Sequence, residues 1–190
     1  MHLTFTRLDD NHYHTVITRR DGVSFHVRGV GSKFAIPHDL AHLAIEAPLQ
    51  LHRGFWGSIA DGAVFESMTH LHGRRKPHAA ERSEDLLRAN RHHIGEAERL
   101  VSIFNDALEG GHGPCSPLLR ARLREFGLTS NGQPRSFTDQ EIAAVCDSWR
   151  EMFSLWTQLP IGGRLELVWT TETSGRRSRK RDLRVMRAAL

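Results

Sequence analysis

An Asp-Gly pair near the N-terminus constrains the fold more than any other local feature of this chain. Asp21-Gly22 separates two apolar stretches, 13–20 and 23–29, and the second alternates apolar with polar residues. Because glycine accepts positive φ without steric cost, this pattern favours a two-residue turn between antiparallel strands. Residues 3–6 alternate in the same way ahead of the hairpin. Together these segments predict a three-stranded N-terminal meander.

A late segment has the same strand pattern. Residues 164–171 follow Gly162-Gly163 and place Leu165, Leu167 and Trp169 on one face. If this strand pairs with the meander, both ends of the chain lie in one sheet. The patterns between them are helical, with apolar residues spaced by threes and fours. We therefore predict an α+β fold, with a small antiparallel sheet of about four strands covered by about five helices.

Charge divides the chain into two parts. Residues 176–190 hold seven basic residues and one acid, a charge of +6, so the total of +4 leaves about −2 on residues 1–175. We expect residues 1–175 to form a single globular domain and residues 176–190 a basic tail or a short helix. The tail has no aromatic residue for base stacking, so it predicts only weak, salt-sensitive contact with nucleic acid or an acidic partner.

The first residues and the overall composition bear on location. The N-terminus lacks the charged start, apolar stretch and small-residue cleavage site of a signal peptide. Hydrophobic residues make up 39% of the chain, and no run approaches the roughly 20 apolar residues needed to cross a bilayer. We expect a cytoplasmic protein that is not inserted in a membrane.

The segment 37–46 carries the strongest chemical signal. His38, His42 and Glu46 are spaced by four, so in a helix of about 100° per residue they fall within roughly 80° of one another. Two imidazoles on one helical face can bind one metal ion, and the chain has 13 histidines in all. A third ligand could be Glu46 itself or Glu66, which lies at the edge of a later apolar stripe. The pattern predicts a site for zinc or another divalent transition metal.

The run His38-Asp39-Leu40-Ala41-His42 resembles the zincin metallopeptidase signature H-E-x-x-H. In that signature two histidines bind zinc and the intervening glutamate is the general base, often with a glutamate ligand on a later helix. The resemblance implies a metal-dependent hydrolase in which Asp39 takes the catalytic position. Asp39 is one methylene shorter than the glutamate of the signature, which moves its carboxylate away from the ion.

Two alternatives stay open at this point. Pro37 and Asp39 are both suited to the first turn of a helix, so the histidines could simply form its solvated face, or bind a ligand without metal. The chain would then be a non-enzymatic binding protein.

A heptad-like seam in the long central helix predicts either core packing or a homodimer interface. Its members are Leu87, Asn90, Ile94, Ala97, Val101, Phe104 and Leu108.

Overall fold

The computed structural model describes residues 1–30, 35–109, 117–127, 129–130, 133–134, 136–174 and 178–189. The strands in these ranges are β1 (His2–Arg7), β2 (His12–Thr18), β3 (Ser24–Val30), β4 (Met68–His72), β5 (Thr129–Ser130), β6 (Gln133–Pro134), β7 (Arg164–Ser174) and β8 (Ser178–Ala189). The helices are α1 (His38–Leu49), α2 (Phe55–Asp61), α3 (Ala79–Glu109), α4 (Pro117–Glu125) and α5 (Asp139–Thr157).

One antiparallel sheet joins the two ends of the chain. Its strand order is β4-β3-β2-β1-β7-β8, and β5 pairs with β6 in a separate two-stranded ribbon. The predicted hairpin is present, with Gly22 at φ +78° in its turn. β1 lies between β2 and β7, where Leu3 pairs with both Ile17 and Leu167. The predicted α+β fold and the pairing of the meander with the late strand are confirmed.

The sheet has six strands where the sequence predicted four, because β4 and β8 were not expected. β4 is short and exposed after Met68, so it lacks the alternating burial that identifies a strand. The segment expected as a tail or short helix contains β8, which pairs with β7 along its length. Its apolar residues Leu183 and Val185 are spaced by two, but the surrounding arginines obscure that alternation.

The core lies between one face of the sheet and the helices. Phe5, Phe25 and Trp169 are fully buried on the inner sheet face, and α1 packs against this core with nearly every residue buried. α5 begins with the predicted capping box, in which Thr138 Oγ1 accepts from the Glu141 amide at 3.2 Å and the Glu141 carboxylate accepts from the Thr138 amide at 2.9 Å. Its apolar face packs on α1.

The predicted seam of α3 faces the interior of the same chain. Asn90, Ala97, Val101 and Phe104 are all buried, and the Asn90 amide donates to Ser58 Oγ at 3.1 Å. The seam therefore contributes to the core, the first of the two alternatives. Among the described residues, every helix is too short or too polar to cross a membrane.

Opposite the helices, the sheet has a second face of different character. We call it the outer sheet face. Apart from Thr6 and Ser24, its described side chains are exposed or half-buried, and most are polar or charged. The described members on β1, β2, β3 and β7 are His2, Thr4, Thr6, His12, His14, Val16, Thr18, Ser24, His26, Arg28, Arg164, Glu166, Val168 and Thr170.

Candidate metal centre

Helix α1 begins at His38, directly after Pro37, and places the two predicted histidines together. The ring centroids of His38 and His42 lie 4.7 Å apart with the planes at 76°. His42 is 1% exposed, since α1 is enclosed by α2, α3, α5 and the sheet. A solvated helix face therefore does not describe His42. His38 lies at the start of the helix and stays half-exposed.

The third member of the group comes from α3 and was not predicted. Glu98 places one carboxylate oxygen 3.3 Å from His38 Nε2 and the other 3.4 Å from His42 Nε2. These three side chains, which we call the His38 cluster, offer ligand atoms that all lie within 4.8 Å of one another. Glu98 is half-exposed, so one side of the cluster is open to solvent.

The two distances from Glu98 to the histidines match those between ligands of one ion. Charge-assisted N–H···O hydrogen bonds are usually about 2.7–2.9 Å long. Two ligands at about 2.0–2.2 Å from a tetrahedral zinc are separated by roughly 3.3–3.5 Å. His42 Nε2 is buried and makes no hydrogen bond to any described residue. Its 3.4 Å distance to Glu98 Oε1 is longer than a usual charge-assisted hydrogen bond and close to the ligand–ligand distance around one zinc ion.

Glu46 has a different position from the one predicted. Its Oε1 lies 2.9 Å from His42 Nδ1 and accepts from the Phe55 amide at 2.8 Å, while Oε2 accepts from the Trp56 amide at 3.1 Å. Glu46 is completely buried, and these contacts compensate for its loss of water. The carboxylate therefore faces the first turn of α2 and the far side of the His42 ring.

The contact from Glu46 fixes the chemistry of His42. A carboxylate on Nδ1 makes that nitrogen the donor and directs the lone pair of the neutral ring to Nε2, which faces Glu98. Metal-binding histidines almost always have such a carboxylate or carbonyl partner on the second nitrogen. Glu46 thus lies where a residue that orients a metal ligand would lie, and Glu98 lies where a ligand would lie.

Local sequence explains how Glu46 reaches α2. A Cβ atom on Gly54 would lie 2.6 Å from Glu46 Oε2 and 2.7 Å from its carboxyl carbon, so only glycine fits here. The Asn90–Ser58 contact links α2 to α3, and in the segment after α2 the Val64 amide donates to Ser83 Oγ of α3 at 2.8 Å. These contacts hold α3, and with it Glu98, beside α1.

Electrostatics in the cluster strongly favour charged forms. Contacts with His38 and then His42 lower the pKa of Glu98 well below its usual range. Burial opposes protonation of His42, but Glu46 and Glu98 together outweigh it and raise its pKa to about 9. In the metal-free chain, a proton on His42 therefore competes with any cation for Nε2.

Asp39 lies beside the cluster rather than in it. Its carboxyl group interacts with the Tyr13 hydroxyl, and its carbonyl accepts from Trp56 Nε1 at 2.8 Å. Burial raises the pKa of Asp39, although His42 and His38 partly oppose that shift. Tyr13 reaches α1 from β2 because its ring lies over Gly29 of β3, where any larger residue would collide with it.

Glu66 is not brought to the histidines. It is exposed in the turn before β4, and the ligand groups found among the described residues do not include it. Sequence reasoning missed Glu98 because nothing local connects it to residue 38. A usable signal exists, since Glu98 directly follows Ala97 of the seam and lies one turn after Ile94, so this carboxylate borders a buried helical face.

A second group of the same residue types lies on α3 alone. His92 Nδ1 and His93 Nδ1 are 3.6 Å and 3.4 Å from Glu96 Oε2. We call this group the α3 cluster. Glu96 is buried, but His92 is mostly exposed.

Comparison with known proteins adds no relative to these observations. The chain matches no protein-family model, no curated protein and no solved structure. The candidate centre therefore rests on its own geometry.

Proposed function

We propose that His38, His42 and Glu98 bind one divalent transition metal ion, with zinc the best fit. The observation that carries the proposal is His42 Nε2, a buried nitrogen with no hydrogen bond to a described residue, which lies at ligand distance from the Glu98 carboxylate. Two imidazoles and one carboxylate are a donor set typical of catalytic zinc, which keeps a fourth position open. The exposure of Glu98 and His38 leaves room for that position.

The proposed activity is metal-dependent hydrolysis. A zinc ion with an open position supplies Lewis-acid activation of water near neutral pH. Asp39 is the residue we propose as general base, because its carboxyl lies close enough for His42 and His38 to influence its pKa, which burial raises. Tyr13 would position that carboxyl through its hydroxyl. A non-enzymatic metal-binding protein is the alternative, and the cytoplasm is the proposed location.

The first experiment measures metal content by elemental analysis of the purified, untagged chain after zinc loading and dialysis. We expect about one equivalent of zinc in the wild type and a large loss in Glu98→Gln and in His38→Ala. Both side chains are half-exposed, so these variants should keep their fold, which circular dichroism can verify. His42→Ala is a less suitable variant because it opens a buried space.

Glu66→Gln is the matched control, since it removes one carboxylate at a place remote from the cluster in sequence and exposed in the structure. It should bind zinc as the wild type does. Loss of zinc in Glu66→Gln with retention in Glu98→Gln would overturn the ligand set proposed here. Absence of zinc from the loaded wild type would overturn the metal site itself.

Hydrolysis is tested separately with p-nitrophenyl acetate and p-nitrophenyl phosphate on the zinc-loaded chain. We expect Asp39→Asn to retain zinc and to lower turnover about 100-fold or more. Equal turnover in the wild type and Asp39→Asn would contradict the role of Asp39. Full zinc binding without any turnover would favour the non-enzymatic alternative.

A further inference from the structure

The outer sheet face carries a row of basic and imidazole side chains that the proposed metal centre does not involve. The strand register places Arg164, Thr6, His14 and Arg28 side by side on β7, β1, β2 and β3. Paired residues in an antiparallel sheet project from the same face. With strands about 4.8 Å apart, the two arginines lie at opposite ends of a row roughly 14 Å long.

Both arginines in this row are available for a ligand. Arg28 and Arg164 are exposed, and among the described residues neither makes an ion pair with a carboxylate. Burial lowers the pKa of His14 most, and the charges of His26, Arg164 and Arg28 lower it further. The charge of both arginines therefore acts at the centre of the row. The row is therefore a region of positive potential with no internal counter-charge.

The imidazole rings supply a second kind of contact. His14 and His26 lie on adjacent strands with ring centroids 5.1 Å apart, and both are half-exposed. In the neighbouring row, His26 aligns with Val16, Thr4 and Glu166. Glu166 is an acidic member of the outer sheet face, and the backbone register places Arg187 of β8 opposite it.

The positive character continues toward the sheet edge. β8 is the edge strand beside β7, and its exposed Arg184 pairs in register with Val168, next to the row of Glu166. Further along β8, Lys180 pairs in register with Glu172 and Asp182 with Thr170, at positions of the outer sheet face. Arg179 and Arg181 take the alternate positions, which belong to the other face. The segment that the sequence predicted as a tail is therefore built into the sheet, and its exposed Arg184 adds a basic group to the outer sheet face.

We propose that the outer sheet face binds single-stranded nucleic acid, with its phosphates on Arg28, Arg164 and Arg184 and its bases against His14 and His26. Cations spaced over adjacent strands with planar rings between them fit a chain that alternates phosphates and bases. An acidic peptide would be attracted by the charge, but it does not supply a planar ring at every repeating unit as a nucleic acid does. The binding is independent of the metal centre, which lies on the other side of the sheet.

The test is fluorescence anisotropy with labelled 20-mers of deoxythymidine and of uridine, titrated with the full chain between about 50 and 200 mM salt. We expect binding to at least one oligomer that weakens as salt rises, since each phosphate contact to a single strand contributes about 0.7 to the slope of log K against log salt. The variant Arg28→Ala/Arg164→Ala should reduce the slope by about 1.4 and weaken binding about tenfold at low salt.

A matched control removes the same charge from the helical side. Arg91→Ala/Arg150→Ala changes two exposed arginines on α3 and α5. This variant should bind the oligomers within about twofold of the wild type. Equal loss in both double variants would show that net charge alone attracts nucleic acid and would overturn the proposal.

Two further outcomes would also overturn it. One is wild-type binding by Arg28→Ala/Arg164→Ala when circular dichroism shows that it is folded. The other is competition by poly-glutamate at the same concentration of charge as effectively as by the unlabelled oligomer, which would indicate an acidic protein partner. His14→Ala/His26→Ala separates stacking from charge: we expect it to weaken binding while leaving the salt slope within about 0.3 of the wild type.

Discussion

The His38 cluster and the α3 cluster each contain two histidines and one glutamate at nearly the same distances, yet their surroundings differ. In the His38 cluster the ligand atoms come from two helices, His42 is buried, and Glu46 holds its second nitrogen. In the α3 cluster all three residues lie within one helix, and His92 is mostly exposed. Residue type and spacing alone therefore do not define a metal site. The His38 cluster is distinguished by a buried histidine, His42, whose second nitrogen contacts Glu46, and by ligands that come from two helices.

The largest loss of stability among the substitutions that test this difference is expected at Glu46. Glu46→Ala leaves His42 without its buried partner and two amides of α2 without an acceptor, so we expect a loss of about 3–5 kcal/mol in the free energy of unfolding. Urea denaturation measures the loss. Glu98→Ala is the control, because Glu98 is half-exposed and its removal should cost less than about 1 kcal/mol. Similar losses in both variants would contradict the distinct role of Glu46.

Gly54 should show the next largest effect. Gly54→Ala places a methyl group 2.6 Å from the Glu46 carboxylate, so the buried acid must shift away from the two α2 amides that donate to it. We expect destabilisation of about 1–3 kcal/mol, together with weaker zinc binding as the His42 ring loses its support. Thermal unfolding and zinc titration of the same sample test both effects. A fully stable variant with normal zinc binding would show that α2 can shift.

At Gly95, beside the α3 cluster, substitution by alanine should raise stability, whereas Gly54→Ala should lower it. A Cβ atom there meets nothing within 4 Å, and the residue lies in the interior of α3. Gly95→Ala should therefore stabilise the chain by about 0.5–1 kcal/mol through its greater helix propensity. Measured beside Gly54→Ala, it separates steric limits at one cluster from backbone entropy at the other. A loss of stability in Gly95→Ala would imply a close contact at this helix face.

The smallest effect is expected from the α3 cluster histidines. His92→Ala/His93→Ala should change the free energy of unfolding by less than about 0.5 kcal/mol, because both rings retain solvent access. Zinc content after dialysis should stay at the wild-type value. If instead about half of the bound zinc disappears, the α3 cluster is a second metal site and does not differ from the His38 cluster in metal binding.

Local chemistry made much of the fold predictable. The Asp21-Gly22 turn and the Thr138–Glu141 capping box depend on neighbouring residues, and both are present. Strand β1 was predictable from alternation over residues 3–6. β8 was not, because its apolar Leu183 and Val185 stand among arginines that resemble a solvated tail.

The candidate centre was predictable only within one helix. His38 and His42 share a face by helical periodicity, and that prediction requires no tertiary information. Glu46 has the same periodicity, but it faces α2 because α2 presents two free amides at that point. Glu98 reaches the histidines through packing between distant segments, which periodicity does not encode. A ligand set that spans two helices is therefore beyond a local pattern.

The position of β1 between β2 and β7 has a consequence for the order of events during synthesis. The meander β1–β2–β3 can pair as soon as it emerges, but one edge of β1 stays open until β7 is made, because Thr6 pairs with Arg164 across almost the whole chain. Such long-range pairing is slow, and an open strand edge invites pairing with other chains. Expression at lower temperature, which slows aggregation, should increase the recovered yield, and early termination before β7 should leave an aggregation-prone fragment.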